Sequence, residues 1–180
     1  MKLLHLLAIA TFCIASTRGA TRPNDFADRE AIIDTALTFY RSLDEKSESL
    51  LRSTTTKDLI FDGTLFAEIG LGAPDPLVGQ NVIAPSLIAA LSMTTMHNLA
   101  NFRVEVEANH ANVTAYVLAY HYKELEQPRE NPWNNYLMGN KFEGRVVKEK
   151  GIWKLGMVKI SPFFQSGNIV VMGLNDTVGR

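Results

Sequence analysis

The chain has 180 residues, of which 46% are hydrophobic and 21% are charged, and its formal net charge at pH 7 is −1. This composition is typical of one globular domain and excludes collagen, coiled coil and intrinsic disorder as descriptions of the whole chain. The balanced charge lacks the basic excess of a nucleic-acid binder, and a single cysteine, Cys13, excludes a disulfide framework and a cysteine-based zinc site.

Residues 1–20 have the layout of a secretory signal peptide. Lys2 supplies a positive charge, residues 3–14 are apolar apart from His5 and Thr11, and small residues follow. The apolar run is too short to span a bilayer comfortably, and an uncleaved anchor is the alternative. We expect cleavage to leave residues 21–180 as a single secreted or secretory-pathway domain that does not span a membrane.

Two glycosylation sequons agree with a secretory route. Asn112 begins the triplet N-V-T and Asn175 begins the triplet N-D-T. Asn112 stands at the start of a predicted strand, whereas Asn175 lies near a polar C-terminus. We therefore predict that Asn175 is glycosylated more readily than Asn112.

The first predicted element after this segment is an amphipathic helix over residues 26–43. Ile33, Leu37 and Tyr40 recur at helical spacing, and Asp44 follows Tyr40 by four residues. Four further apolar side chains widen this stripe: Ile32, Ala36, Phe39 and Leu43. The pattern predicts an acid at the end of a buried stripe, where burial raises the pKa of the Asp44 carboxyl group.

The rest of the chain predicts two more helices and then a run of strands. Residues 47–53 predict a short helix, residues 57–67 a strand, and residues 81–93 a helix that Pro85 restricts or kinks. Four strands follow, over residues 97–106, 112–122, 136–148 and 152–160. Residues 168–172 are a candidate edge strand. This order indicates an α+β fold, in which a curved antiparallel sheet wraps around the long N-terminal helix and encloses a pocket.

Two histidines are candidates for chemistry beside Asp44. His97 opens a predicted strand, on one face with Leu99, Asn101 and Arg103, and histidine is suited to proton transfer near neutral pH. The structural alternatives are a solvated or ion-paired helix-end acid and a strand-end histidine bonded to backbone. His121 follows a row of small apolar side chains on one strand face, so it is either a cavity wall or a core histidine.

Aromatic residues cluster around the later strands, where they form core or line an apolar ligand pocket. They are Tyr120, Tyr122, Trp133, Tyr136 and Phe142. The sequence lacks a tight metal-ligand spacing, a glycine-rich phosphate loop and a G-x-S-x-G elbow. We therefore expect neither a metal nor a cofactor.

Four segments, taken together, resemble a known family. They read FYRSLDEKSESLLRS (39–53), LIFDG (59–63), TTMHNLANFRVEVEANHANVTAYVLAYH (94–121) and GIWKLGMVKI (151–160). Their order and spacing resemble the SnoaL-like branch of the nuclear transport factor two-like superfamily, in particular the scytalone dehydratase and bile-acid dehydratase group. The similarity runs over about residues 26–161, most of the chain that remains after cleavage.

The resemblance implies a cone-shaped α+β barrel with an apolar pocket and a cofactor-free acid–base pair. Asp44 and His97 stand where the dehydratases have a helix-end aspartate and a strand-start histidine, and Tyr40 matches a tyrosine of the bile-acid type. His121 approximately matches a second pocket histidine of the scytalone enzyme. Leu43 here stands where that enzyme has a tyrosine, which argues against scytalone itself as the substrate.

The sequence thus predicts a cofactor-independent lyase or isomerase that dehydrates, isomerises or cyclises a small lipophilic polyketide- or terpenoid-like metabolite. Its predicted catalytic residues are Asp44, His97 and Tyr40. Its predicted substrate-binding residues are His121, Val117, Tyr120, Trp133, Tyr136 and Phe142. The alternatives are a pericyclase or carrier that shapes a ligand without proton transfer, and an interaction module, since the resemblance also implies a possible homodimer through the open face of the sheet.

Overall fold

The structure is a computed structural model that describes residues 23–123 and 134–173, with side chains from residue 26 onward. Three sequence predictions lie outside the described residues: the signal peptide over residues 1–20, the pocket residue Trp133 and the glycosylation site Asn175. No helix in the described part of the chain is long and apolar enough to cross a membrane.

The described residues form helices first and then a run of strands. The helices are α1 (Pro23–Asp44), α2 (Glu48–Thr54) and α3 (Gln80–Ala90). The strands are β1 (Thr55–Asp62), β2 (Leu77–Val78), β3 (Thr94–Glu107), β4 (His110–Tyr122), β5 (Asn135–Glu149) and β6 (Ile152–Gly167). Short 3₁₀ turns cover Thr64–Ile69 and Ile169–Met172.

Two predicted strand segments are wrong. Residues 63–67 leave the sheet after β1 and enter the first 3₁₀ turn. The candidate edge strand over residues 168–172 is the second 3₁₀ turn, because the Asn168 side chain accepts a hydrogen bond from the Val170 backbone N–H and turns the chain. Strand β6 instead continues through Pro162 to Gly167.

The strands form one curved, unclosed sheet in the order β2-β1-β6-β5-β4-β3. This confirms the predicted α+β class with a curved sheet and an N-terminal helix. The neighbouring strands pair antiparallel except for β1 and β6, which run parallel. The sheet is therefore antiparallel over β6, β5, β4 and β3, the part that carries the site described below.

Helix α1 packs one face against the sheet. The buried residues of this face are Ile32, Ala36, Phe39, Tyr40 and Leu43. They meet the alternate inward residues of β4, such as Val113 and Val117, in a common core. The predicted stripe through Ile33 and Leu37 is wrong, because the helix is turned so that Leu37 stays 42% exposed. Asp44 consequently lies at the edge of the buried face.

Strand β3 carries a bulge that changes which residues face the core. Asn101 has a φ of 58°, and the pairing with β4 shifts register between Ala100 and Arg103. A bulge adds one residue and so reverses the alternation beyond it. Phe102 and Val104 pack against the core as a result, and the predicted face through Asn101 and Arg103 ends at Leu99.

Polar contacts tie the start of α1 to the far end of the sheet. The Asp28 carboxylate oxygen Oδ1 accepts hydrogen bonds from Lys148 Nζ at 2.6 Å and from Trp153 Nε1 at 2.9 Å. The Thr35 hydroxyl, two turns later, lies 2.8 Å from the Ala31 carbonyl oxygen and 3.2 Å from the Trp153 carbonyl oxygen, so its one proton is shared between them. These contacts fix the helix along the sheet, and its last residue then meets the start of β3.

Candidate active site

Asp44 and His97 form a hydrogen-bonded pair where the end of α1 meets the start of β3. His97 Nδ1 lies 2.6 Å from Asp44 Oδ1, and the His97 backbone N–H donates to Asp44 Oδ2 at 3.0 Å. The His97 side chain is 5% exposed and that of Asp44 is 25% exposed. Because an ionised carboxylate only accepts hydrogen bonds, this contact places a proton on Nδ1 and makes Nε2 the basic nitrogen of the neutral ring.

The Asp44 carboxylate has a third donor. Thr95, which lies on the same face of β3 as His97, donates its hydroxyl to Asp44 Oδ1 at 2.8 Å. Lys46 Nζ in turn donates to the Thr95 hydroxyl oxygen at 2.9 Å. The carboxylate thus accepts from a ring nitrogen, a backbone amide and a hydroxyl.

These donors decide the ionisation of Asp44. Burial acts to raise the pKa of Asp44, but the hydrogen bonds and charge of His97, with the Thr95 hydroxyl, outweigh it and hold the pKa below its usual value. The sequence-based expectation of a raised pKa is therefore wrong. Asp44 is suited to remain a carboxylate at neutral pH and is poorly suited to act as the general acid.

A cavity of about 320 Å³ lies between α1, α3, the first 3₁₀ turn and the sheet. Its volume is in the usual range for small-molecule sites. Most of the side chains that line it are apolar, among them Phe39, Leu43, Phe61, Phe66, Leu87 and Met138. Four polar side chains also line it: Tyr40, His97, His121 and Asn140.

His97 lines the cavity, but Asp44 does not. Asp44 lines a shallow outer groove together with residues of the exposed side of α1, including Asp34, Leu37 and Arg41. His97 borders both spaces. The imidazole therefore stands between a bound molecule and the carboxylate, which is the arrangement of a base and the group that orients it.

Tyr40 packs directly on the candidate base. Its ring centroid lies 5.0 Å from that of His97, and its hydroxyl is buried with no hydrogen-bond partner in residues 23–123 and 134–173. Burial raises the pKa of Tyr40, so the phenol stays neutral and keeps its proton to donate. An unpartnered buried hydroxyl in a cavity wall is a group that a ligand oxygen can satisfy.

His121 is held as a neutral ring. Its Nδ1 lies 3.0 Å from the Tyr136 carbonyl oxygen, so Nδ1 donates there and Nε2 is left as an acceptor. Burial, chiefly, lowers the pKa of His121 to about 4. Its ring centroid lies 6.0 Å from that of His97, so the two imidazoles share one wall of the cavity.

Asn140 is a cavity residue that sequence reasoning missed. It is 5% exposed, lines the cavity, and its Oδ1 has no hydrogen-bond partner among the residues that the structure describes. The β5–β6 pairing shifts register between Gly139 and Asn140, which places this polar residue where the strand is locally irregular. The available sequence signal was its spacing, because Asn140 falls between Met138 and Phe142 on the same face of β5.

The remaining predicted pocket residues are distributed differently. Tyr120 lies on the opposite face of β4 from His121, away from the cavity. Val117, Tyr136 and Phe142 are buried in the core beside the cavity, where Phe142 contacts the Tyr40 ring and the Tyr136 hydroxyl binds Gln165. Among the described residues, these strands contribute other side chains to the cavity wall: Ala119, His121, Met138 and Asn140.

Other predicted features are placed as follows. The Asn112 side chain is exposed near the start of β4. Within residues 23–123 and 134–173, no three His, Cys, Asp or Glu side chains come together in an arrangement that could hold a metal ion.

Comparison with known proteins gives one family match. A family model described as a SnoaL-like domain matches residues 24–159. A search of curated proteins finds no match.

Solved structures share the fold at low sequence identity. The Kfla4162 protein from Kribbella flavida superposes with a TM-score of 0.70 and 21% identity, over 83% of this chain and 99% of that chain. A protein from Novosphingobium aromaticivorans, provisionally named a scytalone dehydratase, superposes with a TM-score of 0.63 and 18% identity. The match covers 79% of this chain and 88% of that chain. A hexachlorocyclohexane dehydrochlorinase, LinA type 2, superposes with a TM-score of 0.61 and 19% identity. The match covers 78% of this chain and 88% of that chain.

Proposed function

We propose a cofactor-independent lyase or isomerase activity for this chain, which belongs to the SnoaL-like domain family of the nuclear transport factor two-like superfamily. The substrate would be a small lipophilic metabolite of polyketide or terpenoid type. The observation that carries the proposal is the His97 ring, which lines an apolar cavity while its Nδ1 is bound to Asp44 at 2.6 Å. The electrostatic interaction between His97 and Asp44 would be stronger beside such a cavity than in water, because the effective dielectric constant there is much lower.

The geometry assigns different roles to the pair. His97 Nε2 is the base that would contact substrate, because Nδ1 is engaged by the carboxylate. Asp44 is a positioning residue that orients the ring and stabilises the imidazolium that forms when Nε2 takes a proton. Tyr40 and Asn140 offer a donor and an acceptor that would orient the ligand, and His121 Nε2 offers a second acceptor.

A β-hydroxycarbonyl compound would fit this set of groups. His97 Nε2 removes the proton from the carbon next to the carbonyl, and the bonding pair becomes the enolate, which the Tyr40 hydroxyl stabilises by donating to its oxygen. The enolate then expels the β-hydroxyl group, which takes the proton back from Nε2 and leaves as water. Isomerisation uses the same first step and returns the proton to another carbon. Both routes regenerate neutral His97 without a cofactor.

The first step can be tested without knowing the natural substrate. A panel of aryl and polycyclic β-hydroxyketones is incubated with the protein in D₂O, and mass spectrometry follows deuterium uptake at the α-carbon and loss of water. We expect His97→Gln to slow uptake by about 10²–10⁴-fold. His110→Gln, an exposed histidine at the start of β4, is the matched control.

Binding measured in parallel separates the alternatives. A carrier or pericyclase would bind ligands of this class while His97→Gln left turnover and ligand affinity unchanged. Compounds that bind the wild-type cavity but exchange no deuterium would contradict the proton-transfer proposal and favour a carrier.

We also propose that the protein is processed in the secretory pathway. The support is the layout of residues 1–20 and the two sequons, of which Asn112 is exposed. Intact-mass measurement of protein from a secreting host, before and after glycan removal, tests both parts. A mature chain that begins between residues 16 and 21 and carries its glycan mainly on Asn175 is expected, and retention of residues 1–15 would refute the signal peptide.

A homodimer through the outer face of the sheet is the proposed assembly. Large apolar side chains stand exposed there: Met96, Tyr116, Leu118, Phe163 and Phe164. Tyr116 and Phe163 are already in ring contact at 5.7 Å, so the patch is continuous across strands. Sedimentation velocity should give a dimer for the wild type and a monomer for Tyr116→Lys. Ile152→Lys, an exposed apolar position at the β5–β6 turn, is the control, and a monomeric wild type would overturn the assembly.

A further inference from the structure

Three hydrogen bonds in series reach the His97 ring from the turn after α1. Lys46 Nζ donates to Thr95 Oγ1 at 2.9 Å, and Thr95 Oγ1 donates to Asp44 Oδ1 at 2.8 Å. Asp44 Oδ1 in turn accepts from His97 Nδ1 at 2.6 Å. The outer two residues of this series are not among the residues that line the cavity, and their hydrogen bonds reach the ring through Asp44.

The direction of every hydrogen bond in the series is fixed by donor chemistry. A lysine ammonium group donates and cannot accept. The Thr95 hydroxyl oxygen therefore accepts from Lys46, and its single proton is directed to the carboxylate. The carboxylate can only accept while ionised, so the proton in the last contact belongs to His97 Nδ1.

Local backbone geometry places the outer two members. Thr95 and His97 are two residues apart on β3, so both side chains face the end of α1. Lys46 follows the helix with a φ of 55°, a left-handed conformation that reverses the chain and brings its side chain back toward β3. Thr95 is 8% exposed, which makes the loss of its hydrogen bonds costly.

The other charged groups near Asp44 have different positions. Asp34 and Arg41 line the outer groove from α1, and Arg41 is paired with Glu45 at 2.6 Å. His121, on β4, faces His97 as a neutral ring. Lys46 is thus the cation that a hydrogen-bonded path connects to the carboxylate in the described structure.

We propose that Thr95 and Lys46 are positioning residues, which hold the Asp44 carboxylate ionised and oriented and thereby keep the proton of neutral His97 on Nδ1. This rests on the proposed function in one respect, since it supplies the reason why Nε2 stays available as the base. Without the Thr95 hydroxyl, Oδ1 keeps only the imidazole donor, and the carboxylate gains freedom to rotate and to accept a proton.

The test is NMR spectroscopy of the unliganded protein and uses no substrate. Ring ¹⁵N shifts of histidine report which nitrogen carries the proton, and the ¹³Cγ shift of aspartate reports the titration of Asp44. The His97→Gln and Asp44→Asn variants assign the signals by their absence. The variants compared are Thr95→Val, Thr95→Ser, Lys46→Met and Lys46→Arg, with Lys141→Met as a control for loss of a surface cation that pairs with Glu143.

Wild-type protein should show neutral His97 protonated on Nδ1. Thr95→Val should raise the pH at which Asp44 titrates and increase the share of the other His97 tautomer, and Thr95→Ser should restore both. Lys46→Met should shift both readouts in the same direction but less, and Lys46→Arg should stay near the wild type. Lys46 lies in a surface turn, so its variants report even where Thr95→Val fails to fold.

Spectra of folded Thr95→Val and Lys46→Met that match the wild type and Lys141→Met would overturn the proposal. A purely structural role for Thr95 would lower the melting temperature without moving either readout. Because no turnover is measured, the positioning role can hold even if the protein proves to be a carrier, and it can fail while deuterium exchange succeeds.

Discussion

Asp44 and His97 are 53 residues apart in the sequence, and a single carboxylate binds the histidine twice, through its ring and through its backbone N–H. One carboxylate oxygen binds the imidazole ring of His97, and the other binds the backbone N–H of the same residue. This double contact fixes the ring relative to its own backbone as well as relative to α1. A base held in this way needs little reorganisation before it takes a proton.

The pair should behave as one unit in a double-mutant experiment. Asp44→Asn keeps the shape but removes the charge that stabilises the imidazolium, so deuterium exchange should slow by about 10²–10⁴-fold. The double variant with His97→Gln should lose little more than the worse single variant, because both changes disable the same step. Exchange rates of the four proteins give the coupling, with Asp75→Asn as an exposed control; fully additive losses would contradict the paired role.

Removing the Tyr40 hydroxyl should separate stability from function. The hydroxyl is buried and has no hydrogen-bond partner within the described part of the chain, so Tyr40→Phe should raise the free energy of unfolding by about 1 kcal/mol. The same variant should slow deuterium exchange about 10-fold or more, through loss of the donor to the enolate oxygen. Urea unfolding and exchange rates are compared with those of Tyr120→Phe, a tyrosine on the face of β4 away from the cavity. A less stable Tyr40→Phe with unchanged exchange would show that the hydroxyl has a structural partner instead.

Asn140 should show the same pattern for ligand binding. Its Oδ1 is buried and has no hydrogen-bond partner among the described residues, so Asn140→Leu should leave the free energy of unfolding unchanged or raised. Affinity for a hydroxylated ligand should fall about 10-fold, the value of about one hydrogen bond. Isothermal calorimetry against Asn112→Leu, an exposed position on β4 that does not line the cavity, measures this. Equal affinities in the two variants would remove Asn140 from the ligand site.

Asp28 should contribute stability that depends on pH. Its hydrogen bonds to Lys148 and Trp153, together with the charge of Lys148, hold the pKa of Asp28 below its usual value. A depressed folded-state pKa gives stability that is complete above the unfolded-state pKa, about 3.9, and is lost as pH falls through the folded-state pKa.

Urea unfolding of Asp28→Asn and the wild type across pH measures that contribution. The variant should be less stable at pH 7, and the difference should shrink below about pH 4 as the wild-type carboxylate is protonated. Asp75→Asn, at an exposed carboxylate outside these contacts, is the control for removal of a surface charge. A constant difference down to the lowest pH would mean that the Asp28 contacts do not require its charge.

The sequence carries the fold because periodicity reports burial directly. Val113, Val117 and His121 alternate with exposed residues on β4, as their spacing predicts. Sequence does not report how a helix is rotated against its sheet. Leu37 is apolar but exposed, because α1 is rotated relative to the sheet in a way that the spacing of its apolar residues does not predict. This rotation places Asp44 in the outer groove and leaves His97 facing the cavity.

Asp44, His97 and His121 were predicted from their positions on a helix stripe and on two strands, and the family resemblance added Tyr40. Asn140 and Thr95 were missed because one polar residue in a strand reads as a solvated position. Their significance depends on long-range contacts: Asn140 on a shift in the β5–β6 register, and Thr95 on the carboxylate delivered by α1. Such contacts form only when α1 packs against the curved sheet and the strands pair in their final register.

The parallel pairing of β1 with β6 has a consequence for how the chain is made. Residue 55 pairs with residue 155, so β1 cannot take its place in the sheet until β6 has been synthesised. Such distant pairings slow folding and leave strand edges exposed in the meantime. Asp44 and His97 lie on α1 and β3, which both precede β6 in the chain, so their contact does not require the parallel pairing. The elements that form the pair are therefore synthesised before the strand that completes the other end of the sheet.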